Sequence, residues 1–382
     1  MKVALVHDWL TGMRGGERCL EALCELFPDA PIYTLVYVKG RVSEKIERHP
    51  IFPSYLNAIP KVGKFYRYLL PLFPSVIESF TFDDFDLIVS SSHCVAKGIR
   101  VPDGVCHLSY VHTPMRYIWD AHEQYFGGKT FFSVKKMGMA VFRKRLQQWD
   151  MESNAHVYEF IANSSNVSER IQRQYGREAS VVHPPVDWHA FEASDGDEGF
   201  YLMVTAFAPY KRVDLAIQAA NRLKIALKII GKGQEEKTLK GLAGPTVEFL
   251  GWQPDDGVRQ LYRQCRAVLF PGEEDFGIVP LEAMACGKPV IAYGKGGVLE
   301  TVIPLNPITE IAGSPPSTGV FFYEQTVQAL MNAIQLFEKR KGEFEPQSIR
   351  AHVEAFDRAH FKERINQVIM ANYEQFRQSR PC

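Results

Sequence analysis

The sequence predicts an α/β protein of two doubly wound, Rossmann-like domains, and three observations carry this. The chain opens on an apolar run, Val3-Ala-Leu-Val-His7. It continues through a loop with Gly12, Gly15 and Gly16 into a helix with apolar residues at Cys19, Leu20, Leu23, Leu26 and Phe27. Strand, glycine loop and helix in that order begin a parallel sheet. The same pattern restarts at Phe200-Tyr-Leu-Met-Val-Thr205. Between the two lies Val181-Val-His-Pro-Pro-Val-Asp187, where each proline fixes its own φ and restricts its predecessor, giving a stiff linker. The expected domains are therefore 1–185 and 186–350, with a helical segment 351–382 after them.

Composition agrees. A prior of roughly 100–200 residues per domain gives two or three domains for 382 residues. Hydrophobic content of 46% and charged content of 23% are those of an ordinary globular protein. The 44 basic residues balance 44 acidic ones, so no global field favours nucleic acid. Seven cysteines, an odd number and without a Cys-x-x-Cys pair, suggest neither a disulfide framework nor a zinc site. Met1-Lys2 runs straight into a strand, and no apolar run approaches the ~20 residues that span a bilayer, so a cytoplasmic protein is expected.

Within the first domain, Pro31–Tyr37, Asp86–Ser90, Val105–Val111 and, last, Val157–Ala162 read as further strands. Gly15 and Gly16 lie between the first strand and its helix, where their amides can meet a diphosphate; neither the Gly-x-Gly-x-x-Gly fingerprint nor a Walker Gly-Lys-Ser/Thr is present. Asp84-Phe-Asp86 has the form of a metal-binding Asp-x-Asp, but Asp86 leads directly into a buried strand, and no metal is expected. Val111-His112-Thr-Pro-Met-Arg116-Tyr117 ends a strand, the edge at which open α/β sheets bind ligands, which makes His112 and Arg116 site candidates. Residues 129–145 hold six basic side chains and no acidic one, and residues 60–74 also mix lysine and arginine with aromatic and apolar residues. Both segments suit an anionic membrane surface; a solvated basic face accounts for them equally well.

In the second domain, Lys211 and Arg212 fall between the strand Phe200–Thr205 and the helix that follows, where an ammonium can neutralise a diphosphate. Leu227–Ile230 and Val247–Leu250 are strands followed by glycine turns. The richest stretch is 267–300. A strand, Ala267–Phe270, breaks at Pro271-Gly272 and is followed by Glu273-Glu-Asp-Phe-Gly277. A short helix holding Pro280 and Glu282 stops at Gly287, and a strand Pro289–Tyr293 runs into Gly294-Lys-Gly-Gly297. The amides of Ile278 and Val279 open that helix and attract phosphate; Gly277 lets a ligand approach closely. Glu274 in the loop and Glu282 in the helix's first turn, eight positions apart, offer acceptors to sugar hydroxyls. From about residue 349 the chain reads as helix, with Ala355, Phe356, Phe361, Ile365, Val368 and Ile369 near helical spacing.

The Glu274-to-Glu282 stretch resembles the Glu-x7-Glu signature of retaining glycosyltransferases of family 4, which have the GT-B fold; matching signals at the N-terminus and in the middle extend the resemblance over nearly the whole chain. The resemblance implies two domains facing across a cleft, a last helix returning to the first domain, and a glycine loop at Gly15-Gly16 that serves the donor. It gives Glu274 to the donor sugar, Glu282 to the ribose, Lys211 to the diphosphate, and His112 with Arg116 to the sugar's surroundings. Phe276 and the amides of Gly277, Ile278 and Val279 complete the donor site, and the chemistry needs no metal. The family places an arginine five positions before its lysine; here that position is Ala206, so either Arg212 or another cation stands in or the diphosphate is held less tightly. The segments around His112 and Glu274 look most like mannosyltransferases of the WbaZ type. They imply transfer of a hexose, with GDP-mannose as donor and a lipid-linked saccharide as acceptor, in surface polysaccharide synthesis. A UDP-sugar transferase, a nucleotide-sugar 2-epimerase and a non-catalytic nucleotide-sugar-binding subunit share the fold and stay open; a nicotinamide oxidoreductase is disfavoured by the missing fingerprint.

Overall fold

The computed structural model describes residues 1–119, 134–305 and 316–379. The chain forms two units: Met1–Pro185 together with Arg358–Cys382, and Val186–Asp357. Among the described residues the first unit holds seven strands: β1 Val3–His7, β2 Ile32–Thr34, β3 Ile51–Pro53, β4 Leu87–Ser92, β5 Cys106–Val111, β6 Glu159–Ala162 and β7 Ala179–Val181. They pair in parallel in the order β3-β2-β1-β4-β5-β6-β7. The second unit holds β8 Phe200–Val204, β9 Ala226–Ile230, β10 Val247–Gly251, β11 Ala267–Phe270, β12 Val290–Tyr293 and β13 Gly319–Phe322, parallel in the order β10-β9-β8-β11-β12-β13. The doubly wound α/β class expected from the sequence is thus the one observed.

Each sheet reverses its winding once, between β1 and β4 in the first unit and between β8 and β11 in the second. The crevice outside the carboxyl ends of such a strand pair is where open α/β sheets take ligands.

The first sheet is covered on both faces, as its continuous apolar strands require. Leu5, Leu87 and Val89 point into one core, while Ala4, Val6 and Ile88 point into another. The first of these cores is completed by the last helix, Arg358–Gln378, which lays Phe361, Ile365, Ile369 and Phe376 on it at helical spacing. Charge fixes the same docking. Arg358 reaches Glu21 and Glu25 at 2.9 Å each, and Lys362 reaches Glu25 at 3.1 Å. Burial raises the Glu25 carboxyl, but Lys45, Arg358 and Lys362 outweigh it and bring it down to about 2.

Several sequence-based bounds shift. The strand at Pro31–Tyr37 shrinks to β2, and Val157–Ala162 is not the last strand of its sheet. Ala179–Val181, whose last residue was read as the start of the linker, adds β7 beside β6. Asp86 accepts the Lys2 amide at 2.6 Å at the foot of β4.

The first unit also buries neutral histidines, which sets its response to acid. His107 is 1% exposed, with Nδ1 at 2.9 Å from the His156 carbonyl and Nε2 at 2.9 Å from Ser90 Oγ, and burial pushes its imidazole down to about 3. Unfolded histidine protonates near 6.5, so this contribution is fully present above that pH and is lost as pH falls from about 6.5 towards 3. By pH 5 His107 alone costs about 2 kcal/mol. Urea denaturation at pH 7.5 and pH 5 should show that loss, and His107→Gln should remove about that much of the difference; an unchanged pH slope would rule the assignment out.

Candidate functional site

The second unit's site is built on the loops after β8 and β11, the two strands at its winding reversal. After β8 the chain makes a single 3-10 turn, Pro209–Lys211, and Arg212 takes a left-handed conformation (φ 52°) to enter the helix Val213–Leu223. After β11 the chain runs through Glu273–Phe276 to Gly277. Gly277 caps the helix Ile278–Ala285 at φ 95°, a conformation that favours glycine. Close packing holds the two loops together. A Cβ on Gly272 would lie 2.8 Å from the Tyr210 carbonyl oxygen and 2.9 Å from Lys211 Cα.

A third loop locks the arrangement. Gly297 donates its amide to the Glu274 carbonyl at 2.9 Å, and a Cβ there would meet the Asp275 carbonyl oxygen at 2.2 Å. The glycines at 296 and 297 therefore serve contact between loops, a role the sequence did not disclose.

On this frame Lys211 forms an ion pair with Glu274, the two side chains 14% and 22% exposed. Glu282 lies in the helix's second turn rather than its first, because the helix opens two residues ahead of Pro280; its Oε2 accepts the Tyr262 hydroxyl at 2.9 Å. The Phe276 ring is buried in the core with Phe356 5.9 Å away, so that side chain packs, while Ile278 and Val279 rest partly buried on the same core. Arg212 is engaged with Asp214, Nε at 3.1 Å and Nη2 at 3.2 Å, and Ala206 is exposed.

The first unit's site sits at its own winding reversal. Gly15 and Gly16 are not in the loop, as the sequence suggested, but form the first residues of the helix Gly15–Leu26. A Cβ on Gly16 would lie 3.5 Å from His112 Nε2 and 3.5 Å from His7 Cε1, ordinary contacts that place the helix start directly against these rings. His112 follows β5. Its carbonyl accepts Asn163 Nδ2 at 3.0 Å, and its Nε2 lies 2.8 Å from Ser91 Oγ. Burial, together with His93 and His7 close by, pushes its imidazole well below the ordinary value, so the ring is neutral. Arg116 opens the short helix Arg116–Trp119, four residues further on.

Sequence reasoning missed the residues that organise this site. Asp8, fully buried at the end of β1, accepts four consecutive backbone amides after β4: His93 at 2.7 Å, Cys94 at 3.0 Å, Val95 at 2.6 Å and Ala96 at 2.8 Å. Its Oδ2 also lies 3.1 Å from His93 Nδ1. Ser91 and His93 lie beside the His112 ring, with His7 behind Ser91 and Glu17 beyond His7. The signal was there: β4 ends in Ser90-Ser91-Ser92, three serines buried in an otherwise apolar strand.

Of the basic segments, residues 129–133 and the side chains of Lys135 and Lys136 lie outside the described residues. Arg143 donates to the Ile118 carbonyl at 2.8 Å and so serves packing, while Lys144 is exposed. Among the described residues no helix is long and apolar enough to cross a membrane, and no group of three or more His, Cys, Asp or Glu is placed to hold a metal ion.

Comparison with known proteins agrees with this geometry. Residues 187–368 match the family model described as Glycosyl transferases group 1. An uncharacterized glycosyltransferase of Methanocaldococcus jannaschii is 33% identical over 148 residues, 37% of this chain and 42% of the relative, so the match spans less than half of that protein's length. Among solved structures, Anabaena HepE in complex with UDP-glucose superposes with a TM-score of 0.69 at 18% identity, covering 97% of this chain and 100% of that one. Sucrose-phosphate synthase from Thermosynechococcus elongatus superposes with a TM-score of 0.71 at 18% identity, covering 100% of both chains. At these identities the likeness shows the fold. Residues 187–368 thus match the group 1 glycosyl transferase model, and the two parallel-sheet α/β domains have the GT-B fold.

Proposed function

We propose that this chain is a retaining glycosyltransferase that moves a hexose from a nucleotide sugar, with GDP-mannose as donor and a lipid-linked saccharide as acceptor. The observation that carries the transferase reading is the Lys211–Glu274 pair beside the Gly277-capped start of the helix Ile278–Ala285, at the winding reversal of the second sheet. A cation and free helix amides suit the diphosphate, and a carboxylate suits sugar hydroxyls. In the step itself the bond from the anomeric carbon to the diphosphate breaks, and the nucleoside diphosphate leaves with both electrons. The acceptor oxygen bonds to the same face of that carbon, and its proton passes to the departing phosphate. Charge grows on the diphosphate, and preorganised amides with Lys211 stabilise it without a metal. Glu282 holds the ribose, and His112 and Glu274 orient the sugar, with Arg116 nearby.

A UDP-sugar donor is the second reading, favoured by the solved structure of HepE with UDP-glucose. Mannose and the lipid acceptor rest on the resemblance of the segments around His112 and Glu274. Titration calorimetry with GDP, UDP and ADP, in EDTA throughout, separates these. Selective GDP binding is the expected result; selective UDP or ADP binding would keep the reaction and discard mannose, and no binding by any of them would overturn the reading.

A further inference from the structure

We propose that Glu17, His7 and Ser91 act as a positioning file that fixes His112 as the Nε2–H tautomer, leaving Nδ1 as an acceptor for a sugar hydroxyl. The contacts run in one line: Glu17 Oε1 lies 3.8 Å from His7 Nε2, His7 Nδ1 lies 3.1 Å from Ser91 Oγ, and Ser91 Oγ lies 2.8 Å from His112 Nε2. Glu17, His7 and Ser91 are all buried, at 3%, 0% and 0% exposure.

The direction of the file follows from its first link. At 3.8 Å Glu17 is too far for a hydrogen bond, and His7 Nε2 is buried with no hydrogen-bond partner. A carboxylate facing that atom still decides where the His7 proton sits. An N–H aimed at a buried carboxylate is attracted and a lone pair is repelled, and burial strengthens the difference. Glu17 keeps its charge for this. Burial raises its carboxyl, but the His7 imidazole facing it outweighs that and holds it below the ordinary range. With the proton on His7 Nε2, Nδ1 accepts, so the single Ser91 proton points to His7. Ser91 Oγ must then accept from His112, which places the His112 proton on Nε2. Among the described residues no hydrogen bond reaches His112 Nδ1, and the side chain keeps partial exposure. The position therefore presents an acceptor, which fits a hydroxyl and rejects a ligand that offers only acceptors.

The function of this tautomer rests on the glycosyl-transfer reading, but its existence is measured without substrate. The test is long-range 15N–1H correlation on the full chain labelled at histidine nitrogen, at about pH 8, above the ordinary histidine range, with the His112 signals assigned by their loss in His112→Gln. The wild type should show a single His112 tautomer protonated at Nε2. Ser91→Ala should turn this into a mixture and lower kcat several-fold, with the affinity for nucleoside diphosphate unchanged. Glu17→Gln makes the same comparison should Ser91→Ala fail to fold. A wild-type His112 protonated at Nδ1, which would mean an imidazolium at His7 and a file running the other way, overturns the proposal. So does a tautomer ratio that neither variant moves. A wild type that binds no nucleotide while showing the Nε2–H tautomer would sink the transferase reading and leave the file standing.

Discussion

Glu274→Ala is expected to abolish glycosyl transfer, a loss on the order of 10^2-fold or more in kcat, while nucleoside diphosphate binding survives. Glu274 engages Lys211, and both side chains keep some exposure, so the pair itself contributes little to stability, about 1 kcal/mol or less. The loop does not depend on the carboxylate. Its path is fixed by the Glu274 carbonyl, which accepts Gly297, and by the left-handed turn at Gly277. Truncating the side chain therefore removes chemistry rather than structure. It also frees the Lys211 ammonium from its internal carboxylate, so binding of a free nucleoside diphosphate should hold or tighten. Lys211→Ala should do the reverse, weakening the diphosphate. Initial rates with the donor identified by calorimetry, set beside calorimetric affinities for the two variants, check this; transfer retained in Glu274→Ala would remove Glu274 from the chemistry.

The contrast between the two sites shows what the amino-acid sequence made legible. The fold class was readable because its signals are local. β1, β8 and β11 are apolar runs, the last ending directly at Pro271-Gly272, and the helix at 278–285 carries its own start and stop. The loop between Phe270 and Ile278 was readable for the same reason, since its glycines and Pro280 act on their own neighbours. β3, β7 and β13 were passed over. They are three or four residues long, and β3 and β7 lack a fully buried residue, so no periodicity marks them. In the first unit the sequence pointed to His112, Arg116 and the glycines at 15 and 16, and not to the buried polar residues behind them. Asp8 meets the amides of 93–96 across 85 to 88 positions of sequence, and Ser91 lies beside His7 across 84. Both contacts exist because the chain crosses from β1 over β2 and β3 before β4 returns to pair with β1. No local pattern states that crossover's destination, so the polar residues it brings together looked like ordinary strand ends.

Lys97→Met is expected to destabilise the first unit by ~3–5 kcal/mol, the scale of an orphaned buried charge. Lys97 follows directly on the loop capped by Asp8 and is 2% exposed. Its ammonium donates to the Asp150 carbonyl at 2.7 Å, Ser153 Oγ at 2.8 Å and Asn154 Oδ1 at 2.9 Å, and lies 4.7 Å from the Tyr175 ring centroid. Those three neutral acceptors use all three N–H groups, so Asp150 Oδ1 at 3.1 Å is held by charge. Asp150 is fully buried, and its other oxygen accepts Trp119 Nε1 at 2.7 Å and the Tyr175 hydroxyl at 2.9 Å. Removing the ammonium leaves that carboxylate uncompensated, and leaves the Asp150 carbonyl, Ser153 and Asn154 without their common donor. Adding Asp150→Asn should recover a large part of the loss, because the amide oxygen can still accept from Trp119 and Tyr175 while the charge disappears. A urea denaturation cycle over the two single variants and the double variant measures the coupling. A double variant no more stable than Lys97→Met would mean that the neutral hydrogen bonds of Lys97, and not the buried charge pair, hold the loop after β4 to the end of the helix Val134–Glu152.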